Sequence, residues 1–200
     1  SLAIGVSMAW YAVQIQVEVR NLSGWVGKIS LDPGHTTAWD LMSRMHLTFP
    51  LPCGTIWKLA IEDEPVIDKS IPITGESAVT CVKCIPTKTE EMNVVSQAEE
   101  LLRAGRSVDD LSLESHLIWL ALQSLTFGGE FNQSMDNVTL PSGLQNLTFG
   151  EEFNQSMDNV TLPSGLLSLT FGLYFNHSMD NVTLPLSLIH ISEPTRLDDI

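Results

Sequence analysis

Between Leu122 and Pro185 the apolar positions recur every 22 residues: LQSLTFGGEFNQSMDNVTLPSG is followed by LQNLTFGEEFNQSMDNVTLPSG and by LLSLTFGLYFNHSMDNVTLP. A strict period of that length marks a solenoid, in which each unit buries its apolar face only against its neighbours. Within one unit the same spacing occurs twice, as L-x-x-L-x-F at Leu122, Leu125 and Phe127 and as M-x-x-V-x-L at Met135, Val138 and Leu140. The last three residues of each set alternate as a short strand does. Gly128 follows one set and Pro141-Ser142-Gly143 the other, so the pattern predicts a coil with two strands. Stacking such coils brings Leu122, Leu144 and Leu166 into one column and Phe131, Phe153 and Phe175 into another, with parallel strand pairing between coils.

Upstream, the period changes to two. Val13, Ile15, Val17 and Val19 alternate with Gln14, Gln16, Glu18 and Arg20, Asn21-Leu22-Ser23-Gly24 turns the chain, and Trp25, Gly27, Ile29 and Leu31 continue a second strand, which predicts a hairpin. Asp32-Pro33-Gly34 ends it, and Thr37 caps a helix with Ala38, Leu41 and Met45 on one face. Pro50 and Pro52 stop that helix before a strand over 55–61, and a last strand is expected over 79–85. Thr89 to Ala104 reads as a helix ended by Gly105. A second helical stretch capped by Ser107 carries Leu111, Leu117, Ile118 and Trp119 into the first coil, where an amphipathic segment would cover its open end.

Two resemblances follow from these residues. The repeat resembles leucine-rich repeats, most nearly the FNIP type, through Phe131-Asn132, Phe153-Asn154 and Phe175-Asn176, and also the bacterial type in which L-P-x-x-L opens each turn. It departs from the FNIP motif in carrying Ser134, Ser156 and Ser178 where the family has Pro. Hairpin, helix and crossing strands from Val13 to Ile85, with N-L-S-G in the first turn and G-E-S-A-V-T-C-V before the last strand, resemble the ubiquitin-like β-grasp fold. That likeness implies a buried Cys81 and an outward Cys84. No Gly-Gly tail follows Ile85, so a conjugated tag is excluded, and Ala60 beside Glu62 and Asp63 lacks the apolar knob through which ubiquitin is read. The fold class expected is α+β: residues 1–12 as a leader or fragment start with Met8 a candidate initiator, a β-grasp domain over 13–86, a helical cap over 87–121, and a leucine-rich solenoid over 122–185. Residues 186–200, beginning LSLIHISEPTR, resemble a translated sequencing adapter and are expected to stand outside the fold.

Composition narrows the function. The net charge is −14, and no Lys or Arg occurs between Ser107 and Pro185, while Asp109, Asp110, Glu114, Glu130, Asp136, Glu151, Glu152, Asp158 and Asp180 fall there. Such a surface repels a phosphate backbone, which excludes nucleic acid; it reads first as a solubilising face and second as a face for a basic protein. Three cysteines do not make a disulfide framework, and Cys81-Val-Lys-Cys84 has no second pair to complete a metal site. His35, His46, His116 and His177 stand without a diagnostic partner, so no cofactor, metal or enzymatic activity is expected, and no membrane attachment. The Asn columns fit N-x-[ST] but read better as a hydrogen-bonded ladder between coils. The function expected is a cytoplasmic interaction scaffold that binds a protein partner. Contacts would come from Asp136 and Thr139 with their copies Asp158, Thr161, Asp180 and Thr183, although stacking alone would also keep those positions constant. A secreted, glycosylated adhesion protein and a ubiquitin-pathway adaptor are the alternatives.

Overall fold

The computed structural model describes residues 15–21, 24–31, 37–48, 51–61, 64–65, 69 and 79–192. The leader assigned to 1–12 and the last part of the adapter-like tail, 193–200, lie outside the described residues, as do His35, Asp32-Pro33-Gly34, and the turn residues Leu22 and Ser23.

Strand β1 (Ile15–Asn21) pairs antiparallel with β2 (Gly24–Leu31); Asn21 faces Gly24 across the expected turn, and the register shifts between Val19 and Arg20. Helix α1 (Ala38–Thr48) starts where Thr37 predicts it. The Thr37 hydroxyl accepts the Asp40 N–H at 3.3 Å, while the backbone N–H of Thr37 donates to Asp40 Oδ2 at 2.9 Å, a reciprocal cap. That N–H and the Thr37 hydroxyl hold the Asp40 carboxyl below its ordinary range. Ala38, Leu41, Met42 and Met45 are buried, a stripe at i, i+3, i+4 and i+7. Strands β3 (Ile56–Ile61), β4 (Glu64–Pro65) and β5 (Val79–Cys84) form a sheet in the order β4-β3-β5. Both predicted strands were one residue too long. The Thr55 hydroxyl closes a turn on the Pro52 carbonyl, and Ile85 is exposed before Pro86.

The chain divides into two compact units, Ser1–Pro50 with Leu59–Val82, and Leu51–Lys58 with Lys83–Ile200. In the second unit α2 (Lys88–Arg103) begins a residue before the expected Thr89, because Thr87 and Glu90 form a capping box. Instead of one helix from Ser107 there are two elements. Ser107 caps a single 3₁₀ turn at Val108–Asp110, and Ser112 accepts the Ser115 N–H to start α3 (Leu113–Ala121). Lys58 Nζ bridges Glu90 at 3.0 Å and Glu114 at 2.5 Å, tying α2 to α3. The Thr87 backbone N–H, then Lys58 and the Thr87 hydroxyl, hold the Glu90 carboxyl at about 2. A depressed carboxylate stabilises the fold above its unfolded pKa and ceases to as pH falls through the folded one. The urea midpoint of this unit should therefore drop as the pH is lowered from 4.5 toward about 2, and Glu90→Gln should shallow that drop relative to the parent chain.

Four three-residue strands follow: β6 (Ser124–Thr126), β7 (Asn146–Thr148), β8 (Ser168–Thr170) and β9 (His190–Ser192), all parallel and in sequence order. Each residue pairs with the one a repeat later, Leu125 with Leu147, Leu147 with Leu169, and Leu169 with Ile191. The ladder therefore runs past the expected end at Pro185. Leu188 and Ile191 occupy the columns of Leu166 and Leu169, and that apolar spacing is all the pairing requires. The second apolar set corrects the two-strand expectation. Met135, Val138 and Leu140 do turn inward, but the Val138 N–H bonds the Met135 carbonyl at 3.1 Å and Asn137 takes φ 65°, so the backbone curls where a strand was predicted. Asn tolerates that left-handed conformation better than most residues.

The core is a set of columns. Leu122, Leu144 and Leu166 are buried, as are Phe127, Phe149 and Phe171, and the rings of Phe149 and Phe153 stack at 3.9 Å. Val94, Ala98, Ile118 and Trp119 belong to the same core, and the Trp119 indole donates to the Thr139 carbonyl at 3.0 Å. Glu99 Oε1 accepts the Gly128 N–H at 2.6 Å, so α2 supplies a hydrogen-bond partner to the first coil. Cys84, expected outward, is half-buried against this core, and burial raises its thiol pKa. His116, which has no diagnostic partner in the sequence, is buried, with Nε2 4.0 Å from Asp109. Its place on the inward face of α3 decides this. His46 lies within α1, and its side chain is outside the described residues.

Candidate interaction surface of the solenoid

Three kinds of exposed position repeat from coil to coil. The first is the outward side of the strands, where Ser124, Thr126 and Asn146 are exposed and Thr148, Ser168 and Thr170 half-buried, small and polar because the inward residue between them, Leu125, Leu147 or Leu169, fills the core. The second is the turn after Met135. Asp136, Thr139, Asp158, Thr161, Asp180 and Thr183 are all exposed, but none lies in a strand; of the expected strand-ladder contacts the three Asp residues sit in turns and the three Thr residues in the irregular chain after them. Ser134, Ser156 and Ser178 each accept the backbone N–H of the Asp two residues on, at 3.1 Å. The Ser that replaces the motif's Pro thus shapes this turn through its hydroxyl.

The third lies just after each strand and was not foreseen. Gly129, Glu151 and Leu173 stack in one column, and Glu130, Glu152 and Tyr174 in the next, held edge to edge by the Glu152 N–H on the Gly129 carbonyl at 2.9 Å and the Tyr174 N–H on the Glu151 carbonyl at 3.0 Å. The signal that could have found this rim was a mismatch between the copies, which also differ at Gln145 and Leu167, at Asn146 and Ser168, and at Gln155 and His177. From the second copy to the third, Glu151 and Glu152 become Leu173 and Tyr174, while every core residue up to Pro185 is repeated unchanged.

The Asn of each F-N pair builds a ladder. The Asn132 side-chain oxygen accepts the Asn154 N–H at 3.0 Å and the Gln155 amide at 2.8 Å, and the Asn154 oxygen accepts the Asn176 N–H at 2.9 Å. Backbone donors that a curled chain would leave bare are satisfied this way. Asn137, Asn159 and Asn181 stand exposed.

Among the described residues no three His, Cys, Asp or Glu converge as a metal site, and no helix is long and apolar enough to cross a membrane. A cavity of about 400 Å³ is bordered by Leu101, Arg106, Asp110 and Leu111 on the cap, where Arg106 is paired with Asp110 at 3.0 Å.

Residues 121–152 and 153–192 match the FNIP Repeat family in two consecutive pieces. No curated protein matches the chain. Among solved structures it is similar to the crystal structure of CroV588, described as a novel circular LRR protein structure, with 30% identity over 38% of this chain and a TM-score of 0.30. The match spans 15% of that chain. With its parallel three-residue strands in register a repeat apart, the segment 121–192 is a run of FNIP-type leucine-rich repeats.

Proposed function

We propose that this chain is a non-enzymatic, cytoplasmic scaffold that binds a partner protein through its stacked coils. The observation that carries this reading is the regular array of exposed side chains, one set per coil, over a core whose columns are filled by Leu, Phe and Met. An ordered array at one-coil spacing offers an extended binding surface with little ordering cost. Asp136, Thr139, Asp158, Thr161, Asp180 and Thr183 belong to it, and their charge favours a basic partner over a nucleic acid. The hairpin, helix and β4-β3-β5 order support a β-grasp module upstream; in that fold β1 and β5 would join the two sheets. Cys53 and Cys84 are both unpaired, which suits a reducing compartment.

The test uses the absence of Lys and Arg between Ser107 and Pro185. Native purification of the tagged full chain followed by carbodiimide coupling should join carboxylates of that segment to lysines of a stoichiometric partner. Recovery of the chain alone, or coupling confined to residues before Ser107, would sink the scaffold reading.

A further inference from the structure

The geometry points to the rim after the strands, at Leu173 and Tyr174 beside Glu130, Glu151 and Glu152, as the docking site for a basic protein segment that carries an apolar side chain. This rests on the scaffold reading and narrows it to one edge of the solenoid.

The argument starts from where the copies differ. Residues that stack or turn are fixed by the coil on either side, so divergence between copies is free only at exposed positions. At the rim the divergence changes kind. Leu173 and Tyr174 are 62% and 61% exposed and sit in the columns that Glu151 and Glu152 occupy one coil earlier. A leucine and a tyrosine placed side by side in solvent do nothing for the core, whose third-coil positions are filled by Leu166, Leu169, Phe171 and Phe175. Glutamates in the preceding copy show that the backbone accepts charge there, so the apolar pair is not a requirement of the fold.

Charge completes the description of the occupant. Glu130, Glu151 and Glu152 are exposed and make no ion pair among the described residues, and Arg103, one turn along α2 from the Glu99 that holds the Gly128 N–H, is itself paired with Glu99 at 3.3 Å. Their negative field therefore faces outward. Adjacent coils are about 4.8 Å apart, so the rim from Glu130 to Tyr174 spans about 10 Å, the length of about three extended residues. An extended segment lying across the coils would set one apolar residue on Leu173 and Tyr174 and its Lys or Arg side chains against the glutamates; an Arg could also lie over the Tyr174 ring. An acidic segment would be repelled, and a polar basic one would leave the apolar pair wet.

The probe is a fluorescein-labelled dodecapeptide alternating Lys with Leu, compared with an all-Lys peptide of equal charge and a Glu-Leu counterpart, titrated into the full chain and read by anisotropy at 150 mM salt. Only the Lys-Leu peptide should bind well, at least about tenfold more tightly than the all-Lys peptide. Leu173→Glu with Tyr174→Glu, which restores the residues of the second coil, should weaken it about tenfold or more, and so should Glu151→Gln with Glu152→Gln. Replacing Glu91 and Glu100 of α2 by Gln, which removes as many charges outside the rim, should change it less than about twofold. Equal binding of the all-Lys peptide, or loss on the α2 substitutions but not the rim ones, overturns the rim site. Carbodiimide links from the solenoid to a native partner would then still stand, so failure of the rim is distinguishable from failure of the scaffold reading.

Discussion

Gly150→Ala should destabilise the second unit by about 3 kcal/mol in urea unfolding, although Gly to Ala in an ordinary conformation usually stabilises by about 0.4–1 kcal/mol. The reason is steric. A β-carbon on Gly150 would fall well inside van der Waals distance of the Gly128 carbonyl and the Gly129 α-carbon, and one on Gly172 would meet the Gly150 carbonyl and the Glu151 α-carbon in the same way. Both obstacles are backbone atoms of the preceding coil, so no side chain can rotate away. Coils must separate, and the ladder between β6 and β7 or β7 and β8 separates with them. Gly128 supplies the internal control. Its added β-carbon would meet only the end of the Glu99 side chain, 3.4 Å away, because α2 and not another coil lies above it. Gly128→Ala should therefore cost less than about 1 kcal/mol, since a flexible carboxylate can shift by a few tenths of an ångström. Equal midpoints for Gly128→Ala and Gly150→Ala would show that the coils are not spaced as described.

Phe153→Ala should be the most damaging single truncation of the aromatic core, at about 3–5 kcal/mol. Its ring is fully buried and stacks on Phe149 at 3.9 Å, with Phe131 at 6.2 Å, Phe171 at 6.3 Å and Phe175 at 6.2 Å around it. Phe175, one coil later, keeps contacts with Phe171 at 3.9 Å and Phe153 at 6.2 Å. Each aromatic pair adds about 0.5–1.5 kcal/mol beyond the area it buries, so Phe153→Ala should exceed Phe175→Ala by about 1 kcal/mol or more. Denaturant midpoints of the two variants, with matching slopes, provide the comparison. A larger loss at Phe175 would mean that the coil after it carries more of the packing than the Phe columns do.

Much of this architecture was written in spacing. A period of 22 residues can only be satisfied by neighbours in register, and that alone sets parallel pairing, the Leu and Phe columns and the role of the F-N asparagines as a ladder. Helix starts were legible because capping is local: Thr37 with Asp40 needs nothing beyond its own turn. The two misplaced starts are just as local: Thr87, two residues before Thr89, forms a capping box with Glu90, and Ser112, five residues past Ser107, accepts the Ser115 N–H that starts α3.

Tertiary structure decided the rest. Val138 and Leu140 alternate as strand residues do, yet a short apolar run specifies only which side chains go inward, and the turn at Asp136-Asn137 bends the backbone on the way. Asp136 consequently lies in a turn and Thr139 in irregular chain, and neither is on the ladder. The rim of Glu130, Glu151, Glu152, Leu173 and Tyr174 could be read only once stacking had put residues a repeat apart into contact. Nor could composition foretell that Glu99 meets the first coil, that Lys58 joins α2 to α3, or that His190–Ser192 adds a fourth strand. The physical division is between periodicity, which fixes what a residue repeats with, and packing between distant segments, which fixes what covers an end and which face is left in water.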